Sequence, residues 1–221
     1  MAVNQFNLKP GQRAERKTLI TVAEWQQEDG RFYVVQTAQP ADWATNFTSY
    51  YTESSGTYTP VAGTVAPTWA ANTYYTRVER EFLGTRTEDS SIEFNADIAT
   101  STDIRGNNFT DMNKTQPQQA FDPYLVLGGS RLGPVLHDIM FRNAVSELNQ
   151  FTMYIIASYI GDETAGYACQ KQDDCTITYD SLGGDANVNF PITVYFSNKS
   201  TNGTVDKLAD DFAFTPDVNV P

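Results

Sequence analysis

The chain has 221 residues, of which 19% are charged and 13% are aromatic, and its formal net charge is -12. The low charge content and the high aromatic content favour strands over helices, and the length allows one buried core. The acidic balance disfavours adhesion to a nucleic-acid backbone, which needs clusters of lysine and arginine; the alternative is that the acidity serves only solubility. No apolar run approaches the roughly 18 residues of a membrane span.

The N-terminal region divides into a polar arm and a first strand. Residues 1–12 are polar and contain proline and glycine, which is typical of a segment that is flexible or ordered by a partner. They show no charged stretch followed by an apolar core, so no signal peptide is predicted. Residues 18–23 alternate in the manner of a strand. We assign residues 1–25 to this arm and first strand.

Residues 26–80 have a different character. Short aromatic runs recur there between loops that contain proline and glycine, which predicts a small β-subdomain inserted in a surface loop. Its aromatic side chains could bind a sugar or a protein partner through their flat faces. They could equally form the core of the subdomain, and both interpretations stay open. The candidate surface consists of Trp43, Tyr50, Trp69 and Tyr74.

Residues 92–98 alternate strictly between apolar and polar side chains. This period is typical of a half-buried strand, with one face on a core and the other in water. The polar face includes two carboxylates, those of Glu93 and Asp97. The apolar face, which should be buried, consists of Ile92, Phe94, Ala96 and Ile98.

A turn at residues 103–106 leads to a second extended segment, residues 111–119. The segment contains Pro117 and almost no apolar side chain. Because proline lacks the N–H that a central strand needs, the segment is predicted to be an edge strand or an arm that needs a partner. Strand addition to another subunit would satisfy its backbone groups. The candidate inter-subunit arm consists of Asp111, Asn113, Lys114, Thr115 and Gln116.

One convincing helix follows the arm. Pro134 stands at a first helical position, where its missing N–H is not needed. The sole histidine, His137, is predicted to be a surface residue of this helix, with a pH sensor or a catalytic base as the alternative. Apolar residues at helical spacing should pack the helix on a sheet. They are Val135, Leu136, Ile139, Met140 and Val145.

The remaining chain is predicted to form strands. Residues 151–159 form the longest apolar run with strand alternation, and residues 176–179 should pair with residues 190–196 as a hairpin. A last short strand is predicted at residues 212–214. Strands on both sides of one helix favour a two-layer, mainly β architecture.

Motifs for catalysis and metal binding are weak. The acid pairs at residues 173–174 and 210–211 would point to opposite sides of a strand and so would not converge on a bond as hydrolase carboxylates must. Residues 185–190 lack the glycine and the closing glutamate of a calcium loop. Residues 128–131 lack the spacing of a phosphate loop. We therefore predict no catalytic, cofactor-binding or metal-binding residues, and no enzyme activity.

Several short strings occur in the order and spacing of a known family: TEDSSIEFNADI, the arm at residues 113–115, FDPYLVLGGS, and residues 182–185, 196–198 and 203–207. Through these strings the chain resembles the major tail (tail tube) proteins of long-tailed bacteriophages. The likeness covers roughly residues 82–215 and the first strand, and it fails between about residues 25 and 80. It implies a β-sandwich or barrel-like subunit with one flanking helix, of which residues 81–221 form the remainder of the domain.

The resemblance also implies a function. Six copies would form a ring, and stacked rings would form a tube in the virion tail, assembled in the host cytoplasm, through which DNA passes without specific binding. Partners would be further copies of the chain and the tape measure, tail terminator and baseplate proteins, with no membrane. An acidic wall would repel the duplex, and Glu93 and Asp97 are the candidate lumen face.

Two further questions depend on this interpretation. Cys169 and Cys175 are near enough in sequence to bridge a loop, but a chain made in the cytoplasm meets reducing conditions, so free thiols are predicted. A different function stays open: an aromatic-rich carbohydrate-binding or adhesion module on a virion surface, with residues 26–80 as its active part.

Overall fold

A computed structural model describes residues 7–26, 34–35, 47–54, 57–60, 73–84, 87, 90–125, 127–184, 188–197 and 199–217. This part of the chain confirms the predicted mainly β fold with one α-helix, α1, at Leu132–Arg142. Short 3-10 turns lie at Arg16–Thr18 and Val145–Asn149. The strands are β1 (Leu19–Gln26), β2 (Val34–Val35), β3 (Phe47–Ser54), β4 (Thr57–Pro60), β5 (Thr73–Phe82), β6 (Ile92–Glu93), β7 (Ala96–Thr102), β8 (Asn108–Thr115), β9 (Gln118–Phe121), β10 (Phe151–Asp162), β11 (Gly166–Tyr179), β12 (Ile192–Tyr195), β13 (Ser200–Val205) and β14 (Phe214–Pro216).

Twelve of these strands form one antiparallel sheet. Its main order is β4-β3-β5-β1-β10-β11-β12-β9-β6, with β2 beside β5, β13 beside β11 and β14 beside β13. β11 changes partner along its length, because residues 167–172 pair with β13 and residues 176–179 pair with β12. The sheet therefore branches at β11. The pairing of Ile177 with Val194 confirms the hairpin predicted for this part of the chain.

The centre of the sheet is buried on both faces. In β10, Met153 and Tyr154 are neighbours in sequence, yet both are buried, and they belong to two different apolar clusters. The larger cluster joins the sheet to α1, and the smaller one includes Val22 and Phe212. A strand that is covered on both sides needs apolar residues at consecutive positions. This requirement explains the nearly continuous apolar character of β10.

The helix packs largely as predicted. Val135, Leu136 and Ile139 are buried in the larger cluster. Val145 is exposed, so its predicted place on the buried face is wrong. The reason is that Asn143 takes a left-handed conformation, with φ 54°, and ends the helix before residue 145.

Glu81 of β5 caps the start of α1 from the sheet. Its carboxylate accepts hydrogen bonds from the backbone N–H groups of Arg131 at 2.5 Å and Leu132 at 2.9 Å. It also accepts hydrogen bonds from the hydroxyl groups of Tyr124 at 2.8 Å and Ser130 at 3.0 Å. The N-cap residue Arg131 supplies no side-chain cap of its own. A distant carboxylate therefore satisfies the free N–H groups at this helix end.

β2, β3 and β4 extend the sheet through β5, which also pairs with β1. β5 thus runs across residue 80, where the predicted inserted subdomain ends. Within the described ranges, no helix is long and apolar enough to cross a membrane.

Both cysteines are free, as predicted, and both are buried. Cys169 belongs to the smaller apolar cluster and Cys175 to the larger one. Six residues of one strand separate their Cα atoms by roughly 20 Å. A disulfide needs Cα atoms within about 7 Å, so the two thiols cannot bridge in this fold.

We expect both thiols to resist alkylation in the folded protein at mildly alkaline pH and to react fully in concentrated urea. Burial raises the pKa of the Cys169 thiol to about 12, partly offset by the positive charge of Arg80. Burial is also the main reason that the pKa of Cys175 is raised. Intact mass after iodoacetamide treatment measures the effect. Equal alkylation rates in folded and unfolded protein would contradict the burial of these groups.

The same shift gives a pH dependence of stability. A raised pKa means that folding disfavours the thiolate. The contribution of the Cys169 thiol to the free energy of unfolding is therefore complete below the ordinary thiol pKa of 9.0. It declines as pH rises from that value toward about 12. Urea unfolding across this window should show the decline, and Cys169→Ala should make it shallower.

Candidate assembly interface

Of the ten exposed large apolar side chains among the described residues, four lie on one hairpin or at its base. β7 and β8 pair antiparallel with each other and form a separate two-stranded sheet. Every side chain of β7 is exposed, and none of the hairpin side chains that the structure describes, those of residues 96–110 and Thr115, belongs to either apolar cluster. Two strands without a covering layer are marginally stable in water. The hairpin therefore needs a further contact surface.

The tip of the hairpin is a closed turn, as predicted for residues 103–106. The Asp103 N–H donates to the Asn107 carbonyl at 2.9 Å, and the Asp103 carboxylate accepts the N–H groups of Arg105 at 2.8 Å and Asn107 at 2.9 Å. The hydrogen bonds to its carboxylate lower the pKa of Asp103, and the one from the Asn107 N–H has the largest effect. Gly106 has φ +81°, a conformation that favours glycine. Ile104 stands fully exposed in this fixed turn.

The base of the hairpin is fixed to the large sheet. The Gln116 N–H donates to the Phe94 carbonyl at 3.2 Å, and the Asn95 side chain donates to the Gln116 carbonyl at 3.3 Å. The N–H of Phe196, the residue that follows β12, donates to the Pro117 carbonyl at 2.9 Å. The two ends of the hairpin are therefore adjacent, and the hairpin is a discrete addition to the sheet.

The prediction of a half-buried strand at residues 92–98 is wrong. Phe94 is 64% exposed and Ile98 is 59% exposed, although both were assigned to the core face. Asn95 has a positive φ of 40° and separates β6 from β7, so the alternation does not run along one strand. Among the described side chains of this face, only the partly buried Ile92 packs against an apolar cluster, the larger one.

Both faces of the hairpin suit contact with another molecule. The register, with Thr100 opposite Thr110, places Ile98 on one face and Phe109, which is 48% exposed, on the other. Residues 98–102 contain no charge. Exposed apolar side chains beside this uncharged stretch of β7 favour strand addition or packing by a partner.

The candidate arm is the second strand of this hairpin. Asp111, Asn113, Lys114 and Thr115 lie in β8, and Gln116 follows it. Their backbones pair with β7 on one side, and the structure places Lys114 opposite Asp97. Among the described strands, the predicted arm is thus paired along one edge, with β7.

The part of the predicted segment beyond Pro117 is not an edge, so the prediction is wrong there. β9 lies between β12 and β6 in the large sheet, and Gln119 is only 1% exposed. The buried amide of Gln119 has hydrogen-bond partners: its oxygen accepts a hydrogen bond from the Thr21 hydroxyl at 2.8 Å, and its nitrogen donates one to the Ser90 hydroxyl at 3.1 Å. Proline at position 117 precedes this strand and removes none of its ladder bonds.

The two carboxylates of the candidate lumen face do not share one strand. Glu93 lies in β6 of the large sheet, where it accepts a hydrogen bond from Gln118 at 3.1 Å. Asp97 lies in β7 of the hairpin, beyond the break at Asn95. Both side chains are exposed. Their place in a lumen stays a prediction.

Two other predicted regions fall partly outside the described residues. Trp43 and Trp69 of the aromatic surface lie outside them, while the backbones of Tyr50 and Tyr74 lie in β3 and β5. The N-terminal arm is described from Asn7 onward. Asn7 donates its N–H to the Tyr159 carbonyl at 3.0 Å and its side-chain amide to the Gly161 carbonyl at 2.6 Å, which fixes this segment to the end of β10.

The acidic and histidine side chains considered for chemistry lie in ordinary surface contacts. His137 is exposed and stacks on Phe141 at 4.3 Å between ring centroids. Within the described part of the chain, no group of three or more His, Cys, Asp or Glu side chains could hold a metal ion. Each acid of the two adjacent pairs contacts a cation: Asp173 with Lys171, Asp174 with Lys199, Asp210 with Arg131, and Asp211 with Lys207.

The exposure of Ile104 and Phe109 was not predicted. The sequence contains one usable signal, since Phe109 and Ile98 fall on opposite faces once the two strands are paired around residues 103–106. A hairpin that belonged to the core would carry its apolar residues on one face. Apolar residues on both faces indicate contact on both sides.

Comparison with protein-family models, with curated proteins and with solved structures finds no match for this chain. The class of the protein is therefore defined by its architecture: mainly β, with one helix against a large antiparallel sheet. The feature of this chain that bears on its function is the hairpin of β7 and β8 with its exposed apolar side chains.

Proposed function

We propose that this chain is a structural protein that polymerises as stacked, hexameric rings into the tail tube of a long-tailed bacteriophage. The observation that carries the proposal is the hairpin of β7 and β8, which exposes Phe94 at its base and Ile98, Ile104 and Phe109 along its length. Burying such side chains against another copy stabilises an assembly by about 1.5–3 kcal/mol for each large apolar side chain.

The hairpin favours a ring or a stack over a closed pair. A projecting element and the surface that receives it are different parts of the chain, so the contact is heterologous wherever a copy donates its hairpin to one neighbour and accepts that of another. Heterologous contacts repeat from copy to copy until they close a ring or continue as a filament. The number six and the stacking of rings come from the resemblance of the sequence strings. The inter-subunit arm at residues 111–116 is part of this hairpin and takes part in the same contact.

The charge of the chain suits a conduit for DNA. Six copies at -12 each carry a charge of -72 per ring. Duplex DNA carries one negative charge per about 1.7 Å of its axis, so an acidic wall repels it from all sides and lets it slide. Glu93 and Asp97 are the proposed lumen carboxylates. In a reconstruction of the tube they should face the channel, and a position on the outer wall would exclude them.

The remaining partners follow from the tube. Tape measure, tail terminator and baseplate proteins would contact its interior and its ends, DNA would pass without specific binding, and no membrane would be involved. Assembly would take place in the host cytoplasm and the product would reside in the virion tail. This role requires no catalysis and no cofactor.

Sedimentation velocity over a range of concentrations tests the proposal. We expect species far larger than the 24.6 kDa monomer, and their fraction should rise with concentration. A single monomeric species at every concentration, even with preformed seeds, would contradict it. The carbohydrate-binding or adhesion alternative depends on Trp43 and Trp69, outside the described residues, and it predicts a monomer or a small oligomer in the same experiment.

A further inference from the structure

A groove of about 460 Å³ crosses the sheet face of β1, β10, β11 and β13. Leu19, Ile155 and Ala157 contribute half-buried apolar side chains to its lining. The one charged residue of the lining is Asp217. The groove therefore combines an apolar surface with a single negative charge.

The position of Asp217 is fixed by a backbone hydrogen bond to a neighbouring strand. Its N–H donates to the Asn202 carbonyl at 2.9 Å, which continues the pairing of β14 with β13. Its side chain is exposed, and it makes no ion pair within the described ranges. A cation that entered the groove would find this carboxylate available.

The hairpin tip presents the complementary pattern. Ile104 is fully exposed, and the next residue, Arg105, is an exposed cation without an ion-pair partner in the described part of the chain. The nearby Asp103 carboxylate is occupied by the backbone N–H groups that close the turn. The tip thus offers an apolar side chain followed by an unpaired positive charge.

Two other grooves fit this tip less well. One, of about 450 Å³, is lined by Arg16 and by Lys17, which pairs with Glu15, and its lining contains no carboxylate that could pair with Arg105. Another, of about 260 Å³, contains Glu81, Arg131 and Asp210. Its charges already have partners, because Glu81 caps α1 and Arg131 pairs with Asp210.

We infer that the groove beside Asp217 receives the hairpin tip of a second copy of this chain. Ile104 packs on the apolar lining formed by Leu19, Ile155 and Ala157, and Arg105 pairs with Asp217. The inference rests on the proposed function, since it names the surface that accepts the hairpin in the tube. The two surfaces differ, so each copy can donate one tip and accept another.

Charge exchange tests the pairing. Arg105→Glu and Asp217→Arg should each raise the concentration for half-maximal assembly by about tenfold, which is the effect of losing about 1.4 kcal/mol. The double variant, R105E with D217R, should return to within about twofold of the wild type. Arg105→Lys keeps the charge and should assemble normally. Asp180→Arg is the matched control, since Asp180 is an exposed acid with no ion pair among the described residues.

A photo-cross-linking amino acid at position 104 gives a second readout that does not depend on charge. In assembled protein it should link to the peptides that contain residues 155–159 or 168–170 of another copy, as identified by mass spectrometry. Links to other peptides, or no rescue in the double variant, would overturn the inference while tubes still formed, and the proposed function would stand. A wild-type protein that never assembled would overturn both.

Discussion

Replacing residues 96–115 by a two-residue glycine turn should abolish assembly and leave a folded monomer. The Gln116 N–H lies 3.2 Å from the Phe94 carbonyl, so a short connection can join the two ends. None of the described side chains of the removed segment, those of residues 96–110 and Thr115, belongs to either apolar cluster, so the midpoint of thermal unfolding should change by only a few degrees. Sedimentation velocity and circular dichroism measure the two effects.

A matched pair of double variants separates the hairpin from exposed apolar surface in general. Phe94→Ser with Ile98→Ser should weaken assembly by a hundredfold or more, because two apolar side chains contribute about 3–6 kcal/mol when buried at an interface. Leu182→Ser with Val188→Ser removes two other exposed apolar side chains and should have little effect. Normal assembly by the shortened protein would show that the hairpin is not the interface.

Glu81→Ala should lower the free energy of unfolding by about 3–5 kcal/mol, the largest effect that we expect from one substitution on stability. The variant leaves the Arg131 and Leu132 N–H groups without an acceptor at the start of α1. It also removes the 2.8 Å acceptor of the buried Tyr124 hydroxyl, which keeps only the longer contact with the Ser130 hydroxyl at 3.3 Å. Unfolding in urea, followed by circular dichroism, measures the loss.

Two controls accompany this substitution. Glu81→Gln keeps one acceptor oxygen and should lose about half as much stability. Glu93→Gln changes an exposed carboxylate that accepts one hydrogen bond, from Gln118, and should cost less than about 0.5 kcal/mol. If Glu81→Ala matched Glu93→Gln, the cap from the sheet would contribute nothing to stability.

Local patterns predicted the parts of the fold that local chemistry decides. The hairpin between β11 and β12 joins strands that are close in sequence, and the buried residues of α1 follow its helical period. The turn at residues 103–106 depends on Asp103 and Gly106, which are themselves turn residues. In each case the residues that decide the structure lie within one short segment.

The failures concern contacts that no short segment contains. Alternation predicts that a strand has an apolar face, but it does not say whether another layer covers that face, so Phe94 and Ile98 were assigned to the core. Gln119 was expected in water because its buried partners, Thr21 and Ser90, lie 98 and 29 residues away in the sequence. The cap of α1 was missed for the same reason, since Glu81 lies 50 residues before Arg131.

The candidate interface was predicted in part. The sequence indicated that residues 111–116 form an extended segment in need of a partner, and the structure supplies one partner, β7, from within the chain. It did not indicate that the apolar residues beside this arm are exposed. The arm and the exposed side chains together define a larger contact surface than the arm alone.

Electron microscopy of the concentrated, purified wild-type protein tests the central claim most directly. The account predicts tubes of stacked rings, each with an open central channel and six copies in cross-section. Fields that contained only separate globular particles, or assemblies without a channel, would contradict it.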